Sequence, residues 1–310
     1  MDCGCNRSHL WIYGVMIMKL RNVLGCFDGI SCGQVALQRA GIEYDQYYAS
    51  EIDTYAMQVT QRQFPKTQQL GSITEWKTWN LENVDLIIGG SPCQGFSMAG
   101  KRLNFDDARS KLFFEFLDIV RHYKPKYFLL ENVRMKQEAQ DAISKELGVE
   151  PVLINSGLVS AQSRDRLYWT NIPDVELPKD RGIYLKHIVS TPKVIRGGDL
   201  EEYFEDKVGK LSPRGLCHIG TANLNGIQSL KRVYHIDGKS PTLTTSMGGH
   251  REAKIATSKT TWRKLTPLEC ERLQTLPDGY TEGISNTQRY KTLGNGWTVD
   301  VIAHIFGFMK

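Results

Sequence analysis

From about residue 20 to residue 170, short apolar runs alternate with longer stretches that carry apolar residues at helical spacing. Leu20–Gly25 reads as a short buried strand that ends in the turn Phe27–Gly33, and a helix follows to about Ala40. Tyr47–Ser50 reads as a second strand closed by Glu51-Ile52-Asp53, with a helix to about Phe64. Val84–Ile88, bounded by Gly89-Gly90 and Pro92, suits a central strand opening into a loop. Leu112, Phe113, Phe116, Leu117 and Val120 share a helical face within Lys111–Tyr123, and Tyr127–Leu130 is another buried strand. This alternation predicts an α/β fold: a doubly wound, mostly parallel sheet covered on both faces by helices. Ligands in such sheets sit beyond the carboxyl ends of the strands. Phe27–Gly33, Glu51–Asp53, Ser91–Ser97 and Glu131-Asn132 all fall there.

The rhythm stops after Pro173. Residues 174–260 are irregular and rich in Gly, Lys, Arg and Thr, which predicts a small, mainly β or loop module. Helical patterns return at Pro267–Leu276 and Val299–Met309. The expected division is an N-terminal extension over 1–17, disordered if Met16 or Met18 is the start, then a cofactor-binding and catalytic domain over 18–173. The module over 174–260 and a C-terminal segment over 261–310 that returns to the catalytic domain complete it.

A net charge of +5 permits a nucleic-acid partner without requiring one. Seven scattered cysteines do not form a disulfide framework and suit a reducing cytoplasm. Cys3, Cys5 and His9 lack a second ligand pair at zinc-like spacing, so no metal is expected. Leu10–Val23 is interrupted by Lys19 and Arg21 and is too short to cross a bilayer.

The glycine-bearing turn Phe27–Gly33 is neither a Walker loop nor a G-x-G-x-x-G fingerprint; glycine there brings backbone close to a ligand, or simply makes a strand-to-helix turn. Glu51, at a strand end, is placed to hold a ribose diol or to be only a solvated carboxylate. The segment Gly89-Gly90-Ser91-Pro92-Cys93-Gln94-Gly95-Phe96-Ser97 is more telling. A core cysteine needs no flanking glycines and proline, whereas a reactive one needs a shaped, partly exposed loop.

Pro92-Cys93-Gln94 after one strand, Glu131-Asn132-Val133 after the next, and Gln162-Ser163-Arg164-Asp165-Arg166 further on, in that order and separation, resemble the DNA cytosine-5 methyltransferases. Phe27–Gly33 is similar to that family's first cofactor motif, and Arg272–Pro277 to its helical motif. Pro241-Thr242-Leu243-Thr244 resembles its Pro-x-x-Thr element, and Gly294-Asn295-Gly296 with Val299 its closing motif. The likeness spans about residues 20–175 and 262–310. One departure is Gly71-Ser72-Ile73, where the family often has Asp in place of Ser72. Val159–Pro173 also looks similar to eukaryotic de novo members, although a chain this short, with no added chromatin-reading domain, better suits a bacterial or phage enzyme.

The resemblance implies a Rossmann-like fold binding S-adenosylmethionine, with 174–260 as target-recognition domain. It implies a methyl transfer to carbon 5 of a flipped cytosine in double-stranded DNA through a covalent Cys93 adduct. Glu131, Arg164 and Arg166 would complete the catalytic set, and Gln94, Ser97, Asn132 and Gln162 would contact or frame the substrate. Cofactor contacts would come from Phe27, Asp28, Gly29, Ser31, Gly33, Glu51, Ile52, Ser72, Ile73, Pro92, Leu112, Asn295 and Trp297. Lys193, Arg196, Lys231, Arg232, His250 and Arg251 suit phosphates and base edges in the recognition module. The loop Phe96–Arg109 has the composition of a lid or of a solvated loop. The expected state is a cytoplasmic monomer, with a companion restriction endonuclease left open by the sequence. Two rival readings stand beside this one: a methylase of tRNA cytosine, and a catalytically idle DNA-binding regulator.

Overall fold

The computed structural model describes residues 9–12, 15–91, 108–190, 197–245 and 250–310. Pro92, Cys93, Gln94, Ser97 and most of the Phe96–Arg109 loop lie outside the described residues, as do Cys3, Cys5, Lys193 and Arg196. The chain divides into two compact units, the first comprising residues 1–154, 166–176 and 302–310 and the second 155–165 and 177–301. The boundaries differ from those the sequence suggests. Residues 155–165, with Gln162 and Arg164, group with the second unit, and of the C-terminal segment only residues from Ile302 onward group with the first.

The first unit is built on an eight-stranded sheet. Its strands are β1 (His9–Ile12), β2 (Val15–Cys26), β3 (Glu43–Ser50), β4 (Gln68–Gln69), β5 (Val84–Gly89), β6 (Tyr127–Val133), β7 (Val152–Asn155) and β8 (Asp165–Thr170). The order is β4-β3-β2-β5-β6-β8-β7, with β1 paired antiparallel to the start of β2. Residues 9–12 and 15–18 thus form a hairpin where the sequence suggested a disordered extension. Pairing is parallel from β4 through β6 and turns antiparallel where β8 meets β6. Strand order reverses at β2: the chain steps outward to β3 and β4, then returns to β5 on the other side. Such a reversal opens a crevice at the carboxyl ends of β2 and β5, where their following loops diverge.

Helices α1 (Cys32–Arg39), α2 (Thr54–Gln63), α3 (Ala108–Tyr123) and α4 (Gln137–Leu147) make the crossovers. The apolar runs behave as expected of strands buried on both faces, with Leu24, Ile87, Leu130, Leu167 and Trp169 in one cluster with Phe113 and Phe116 of α3 and Ile143 of α4. The Trp169 indole N–H, which burial would leave without water, donates to Ser144 Oγ at 3.0 Å.

The irregular module is a closed five-stranded barrel. Its strands β9 (Gly197–Tyr203), β10 (His218–Ala222), β11 (Arg232–Tyr234), β12 (Lys254–Ala256) and β13 (Thr261–Lys264) run in the order β10-β11-β12-β13-β9. Ala222, Val233 and Trp262 fill it. A short helix α5 (Gln228–Lys231) precedes β11, and α6 (Pro267–Leu273), α7 (Asn286–Asn295) and α8 (Val299–Phe306) follow the barrel. Thr266 and Glu269 cap α6 reciprocally, with Pro267 in its first turn. Glu269 is fully buried and takes a forked pair of hydrogen bonds from Arg263, both at 2.8 Å. Burial works against its charge, but Arg263 and the Ser190 and Thr266 amides outweigh it and hold the carboxyl below its usual range. No helix among the described residues is long and apolar enough to cross a membrane, and no cluster of metal-ligating side chains occurs among them.

Arg263→Met should destabilise the second unit by about 3–5 kcal/mol, because the buried Glu269 carboxylate loses its partner. Chemical denaturation followed by amide exchange at residues 254–273 would measure it; a loss below about 1 kcal/mol would contradict the assignment.

Candidate active site

β2 ends at Cys26, and the next five residues reverse direction within one tight turn. Phe27, Gly29 and Ser31 all have left-handed backbone, with φ of 54°, 58° and 56°. For the two non-glycine residues this costs about 1 kcal/mol or more each, and such conformations concentrate at functional loops. At Gly29 an added Cβ would meet open space, so the turn presents bare backbone to its surroundings. Gly25 and Gly33 serve another purpose: a Cβ at Gly25 would overlap Asp28 and one at Gly33 would overlap Ile88. They let protein pack against protein, not a ligand against backbone.

Glu51 follows β3. One carboxylate oxygen accepts from the Gly29 amide at 2.8 Å, and the other from the Ile52 and Asp53 amides at 2.7 and 2.8 Å. Three backbone donors fix the group while leaving one acceptor site, on Oε2, for a hydroxyl of a diol. Beside it Ile52 is 74% exposed, an unusual position for so large an apolar side chain. A fixed carboxylate next to an exposed apolar surface fits a nucleoside, with the diol on one and the base on the other. Ser72 caps the 3-10 helix Ile73–Thr78, accepting from the Thr74 amide at 3.3 Å. Its hydroxyl also lies 2.8 Å from Thr74 Oγ1. Ile73 is buried, and Leu112 of α3 is half-buried against the sheet core.

Across the reversal, β5 leads through Gly90 to Ser91, the last described residue before Pro92-Cys93-Gln94. Asn132 Nδ2 donates to Ser91 Oγ at 3.1 Å and reaches its carbonyl at 3.4 Å, while Asn132 Oδ1 accepts from the Val133 amide. Asn132 therefore anchors Ser91, the residue before Pro92, to β6. The sequence placed Glu131-Asn132 after a strand; in fact β6 continues through Val133, because antiparallel β8 pairs with it there. The register sets Val133 opposite Arg166 and Glu131 opposite Tyr168. Alternation puts Glu131 and Arg166 on one face as diagonal neighbours. Arg166 Nε lies 2.7 Å from Glu131 Oε1, and Glu131 is 8% exposed.

The second unit holds the other members of the predicted set. Arg164, 4% exposed, donates from Nη1 to the Leu243 carbonyl at 3.1 Å and from Nη2 to the Gly294 and Gly296 carbonyls at 3.2 Å each. Gln162 accepts from the Leu243 amide at 2.8 Å and donates to Gln274 Oε1 at 3.1 Å. Lys239 joins them: its buried ammonium donates to the Gly157 and Ile183 carbonyls at 2.6 and 2.8 Å. These side chains knit 155–165, Pro241–Thr244 and the turn after α7 into one piece. The structure thus gives the two motif arginines different partners, Arg166 the Glu131 carboxylate and Arg164 three backbone carbonyls. Asn295 is exposed and Trp297 half-buried in the same turn. Arg232, His250 and Arg251 are exposed beside the barrel, and Lys231 pairs with Glu201 at 3.1 Å.

The anchoring role of Ser91 and the hydroxyls of Tyr47 and Gln34's partners beneath the turn escape a reading of the sequence. Nothing in their local pattern separates them from ordinary strand and helix residues.

A family model described as C-5 cytosine-specific DNA methylase matches residues 22–168 and 190–310. An orphan methyltransferase of Bacillus phage SPbeta, M.SPBetaI, is 27% identical, covering 93% of this chain and 97% of its own. The type II methyltransferase M.HhaI of Haemophilus parahaemolyticus is 28% identical, covering 90% of this chain and 91% of its own. Among solved structures, the methyltransferase EhMeth of Entamoeba histolytica shares the fold, with a TM-score of 0.69 at 16% identity over 94% of this chain and 98% of its own. The model covers the sheet unit, the barrel and the closing helices alike, and with that breadth of match the chain belongs to the C-5 cytosine-specific DNA methylase family.

Proposed function

We propose that the protein methylates carbon 5 of cytosine in double-stranded DNA through a covalent adduct to Cys93, with S-adenosylmethionine as methyl donor. The observation that carries this reading is the Asn132–Ser91 contact, which ties the residue just before Pro92-Cys93-Gln94 to the strand bearing Glu131. Cys93 stands two residues beyond that anchor, at most about 7 Å of chain.

S-adenosylmethionine, when bound, supplies an activated methyl group on a sulfonium. Glu51 would hold its ribose diol and Ile52 would pack on its base, with the turn Phe27–Ser31 lining the remainder. With its own proton given to Thr74 Oγ1, the Ser72 hydroxyl offers one lone pair to a ring amino group, a weaker acceptor than a carboxylate. Asn295 and Trp297 of the second unit belong to the same proposal.

Cytosine carbon 5 is a poor nucleophile until carbon 6 is saturated. The Cys93 thiolate forms a bond to carbon 6, and the electron pair displaced from the 5–6 double bond is delocalised toward ring nitrogen 3 and becomes available at carbon 5. Glu131, as the carboxylic acid, gives its proton to nitrogen 3 and accepts from the amino group, relieving the negative charge that develops on the ring. Arg166, in contact with Glu131, fixes that group and offers its remaining N–H groups to the base carbonyl. After carbon 5 takes the methyl group, it loses its proton, the double bond re-forms and the Cys93 sulfur leaves carbon 6. The target base must be flipped from the duplex to present carbon 6. Gln94 and Ser97 would line the pocket beside it. Arg164 and Gln162 act by holding the second unit's loops in place, and the barrel supplies target recognition.

Cys93→Ser should abolish methyl transfer while leaving the fold intact, and duplex DNA carrying 5-fluorocytosine should trap an adduct on the unaltered protein that mass spectrometry maps to Cys93. Transfer at undiminished rate by the serine variant would remove the covalent mechanism. Label transfer to tRNA and not to duplex DNA would replace the substrate assignment, and bisulfite sequencing of DNA from expressing cells would read base and context directly.

Arg166→Ala should lower the rate of transfer by about 10²–10³-fold, on the scale of removing one preorganised donor from a reacting site. Adenosylhomocysteine affinity measured by calorimetry should stay within about twofold, since Arg166 lies at the base-holding edge and not in the cofactor turn. A large loss of cofactor affinity with little loss of rate would reverse that placement.

A further inference from the structure

We propose that Asp28 is a positioning residue for cofactor binding, its carboxyl group held from within the protein by the hydroxyls of Tyr47 and Ser31 so as to set the left-handed turn that carries the Gly29 amide to Glu51. The proposal rests on the cofactor reading above and assigns to Asp28 a role different from direct contact.

The geometry is that of a built internal site. Tyr47, 2% exposed on β3, donates to Asp28 Oδ1 at 2.5 Å, and Ser31, fully buried, donates to Asp28 Oδ2. Ser31 is in turn held by Gln34 Nε2 at 3.0 Å and contacted by Thr60 Oγ1 at 3.2 Å. Gln34, 1% exposed, also donates to Thr67 and accepts from the Tyr44 hydroxyl, both at 2.8 Å. A chain of polar side chains from β3, α1 and α2 thus converges beneath the turn on one carboxyl. Gly25 completes the enclosure, because any Cβ there would overlap Asp28 Oδ1 and stand 2.5 Å from the Tyr47 hydroxyl. Each partner explains a residue that the local sequence leaves unexplained.

The turn needs such a restraint. Phe27 and Ser31 hold left-handed backbone without the freedom of glycine, and Ser31 starts α1 without giving its own side chain to the helix amides. Its hydroxyl is spent on Asp28 instead. An ionised carboxylate accepts from both hydroxyls, whereas a protonated one must donate at one oxygen and so gives up part of that hold.

Burial, with a smaller push from the neighbouring Glu51, raises the Asp28 carboxyl to about 7 against the Ser31 and Tyr47 hydrogen bonds. The other titratable groups that face this cluster are Tyr44 from β3 and Cys26 from β2, both themselves pushed up by burial. Two opposite pH trends follow. In the free protein, the folded state keeps a proton that the unfolded chain releases near the ordinary carboxyl value of 3.8. Asp28's contribution to stability is therefore complete below that value and is lost as pH rises through about 7. Cofactor affinity runs the other way, because only the ionised form holds both hydroxyls. With that carboxyl titrating near neutrality, affinity should rise several-fold between pH 6 and pH 8.

Calorimetric titration of adenosylhomocysteine into the unaltered chain, Asp28→Asn and Tyr47→Phe, at pH 6, 7 and 8, tests this. The unaltered chain should show that rise; Asp28→Asn should bind about tenfold more weakly at pH 8 with a flat profile, and Tyr47→Phe should bind more weakly at pH 8 with its rise moved to higher pH, because Asp28 loses a hydrogen bond that favours its ionised form. Amide exchange at residues 27–31 without any ligand should be faster in both variants, which reads the turn independently of binding. Tyr47→Phe keeps the ring and serves where Asp28→Asn fails to fold. A pH profile in the variants equal to that of the unaltered chain, with unchanged exchange at the turn, overturns the positioning role alone. Failure of the unaltered chain to bind adenosylhomocysteine or S-adenosylmethionine at any pH overturns the cofactor reading beneath it.

Discussion

The first unit depends on the position of β2. It pairs in parallel with β3 on one side and β5 on the other, so its last residues, Gly25 and Cys26, lie opposite Ala49 and Ser50 in one register and Ile88 and Gly89 in the other. Three strand ends are thereby fixed side by side, and the segments that leave them are Phe27–Ser31, Glu51–Asp53 and Gly90-Ser91. Each carries a chemically distinct feature: bare turn backbone, a carboxylate held by three amides, and the approach to Cys93. A slip of one residue in β2 would turn every buried side chain of the strand toward the opposite face. The site's geometry is thus a consequence of strand register before any side-chain contact is counted.

Two arginines separated by one residue have different surroundings for a related reason. Arg166 lies on β8, whose antiparallel register with β6 delivers it diagonally to Glu131. Arg164 precedes the strand, where the backbone is irregular, and its guanidinium collects carbonyls from Leu243, Gly294 and Gly296. A planar fork of five donors suits either task, and a lysine would satisfy neither geometry as well. The Gln-x-Arg-x-Arg pattern therefore encodes two physical roles, one in recognition of a carboxylate and one in closing buried backbone acceptors that would otherwise be costly to leave without donors.

Much of this was legible in the sequence because parallel strands buried on both faces write themselves as continuous apolar runs. Val84–Ile88 and Tyr127–Leu130 were found for that reason, and the ends they point to hold the site residues. Glu131 and Asn132 were placed beyond the strand because their polarity ends the apolar run; antiparallel pairing with β8, a contact remote in sequence, carries the strand through them. The second unit was legible only as a change of rhythm. Its strands are three to seven residues long and close a barrel by pairings whose register no local pattern announces. Residues 155–165 read as part of the sheet domain, yet Gln162, Arg164 and Lys239 bind them to the second unit through hydrogen bonds between residues about 80 or more apart.

The cysteines argue separately for where nucleophilic chemistry can reside. A thiol attacks as its thiolate, and burial in an apolar setting disfavours that form. Cys26, Cys32, Cys217 and Cys270 are all buried, and burial pushes the Cys26 and Cys270 thiols well above their usual range, with nearby carboxyl groups adding to the effect. These four are packing residues, small and apolar enough for a close-packed interior. The segment around Cys93 differs from theirs in composition, with Gly89, Gly90, Pro92 and Gly95 beside it. Asn132, holding Ser91 from a strand buried on both faces, fixes the residue that immediately precedes Pro92-Cys93-Gln94 in the chain.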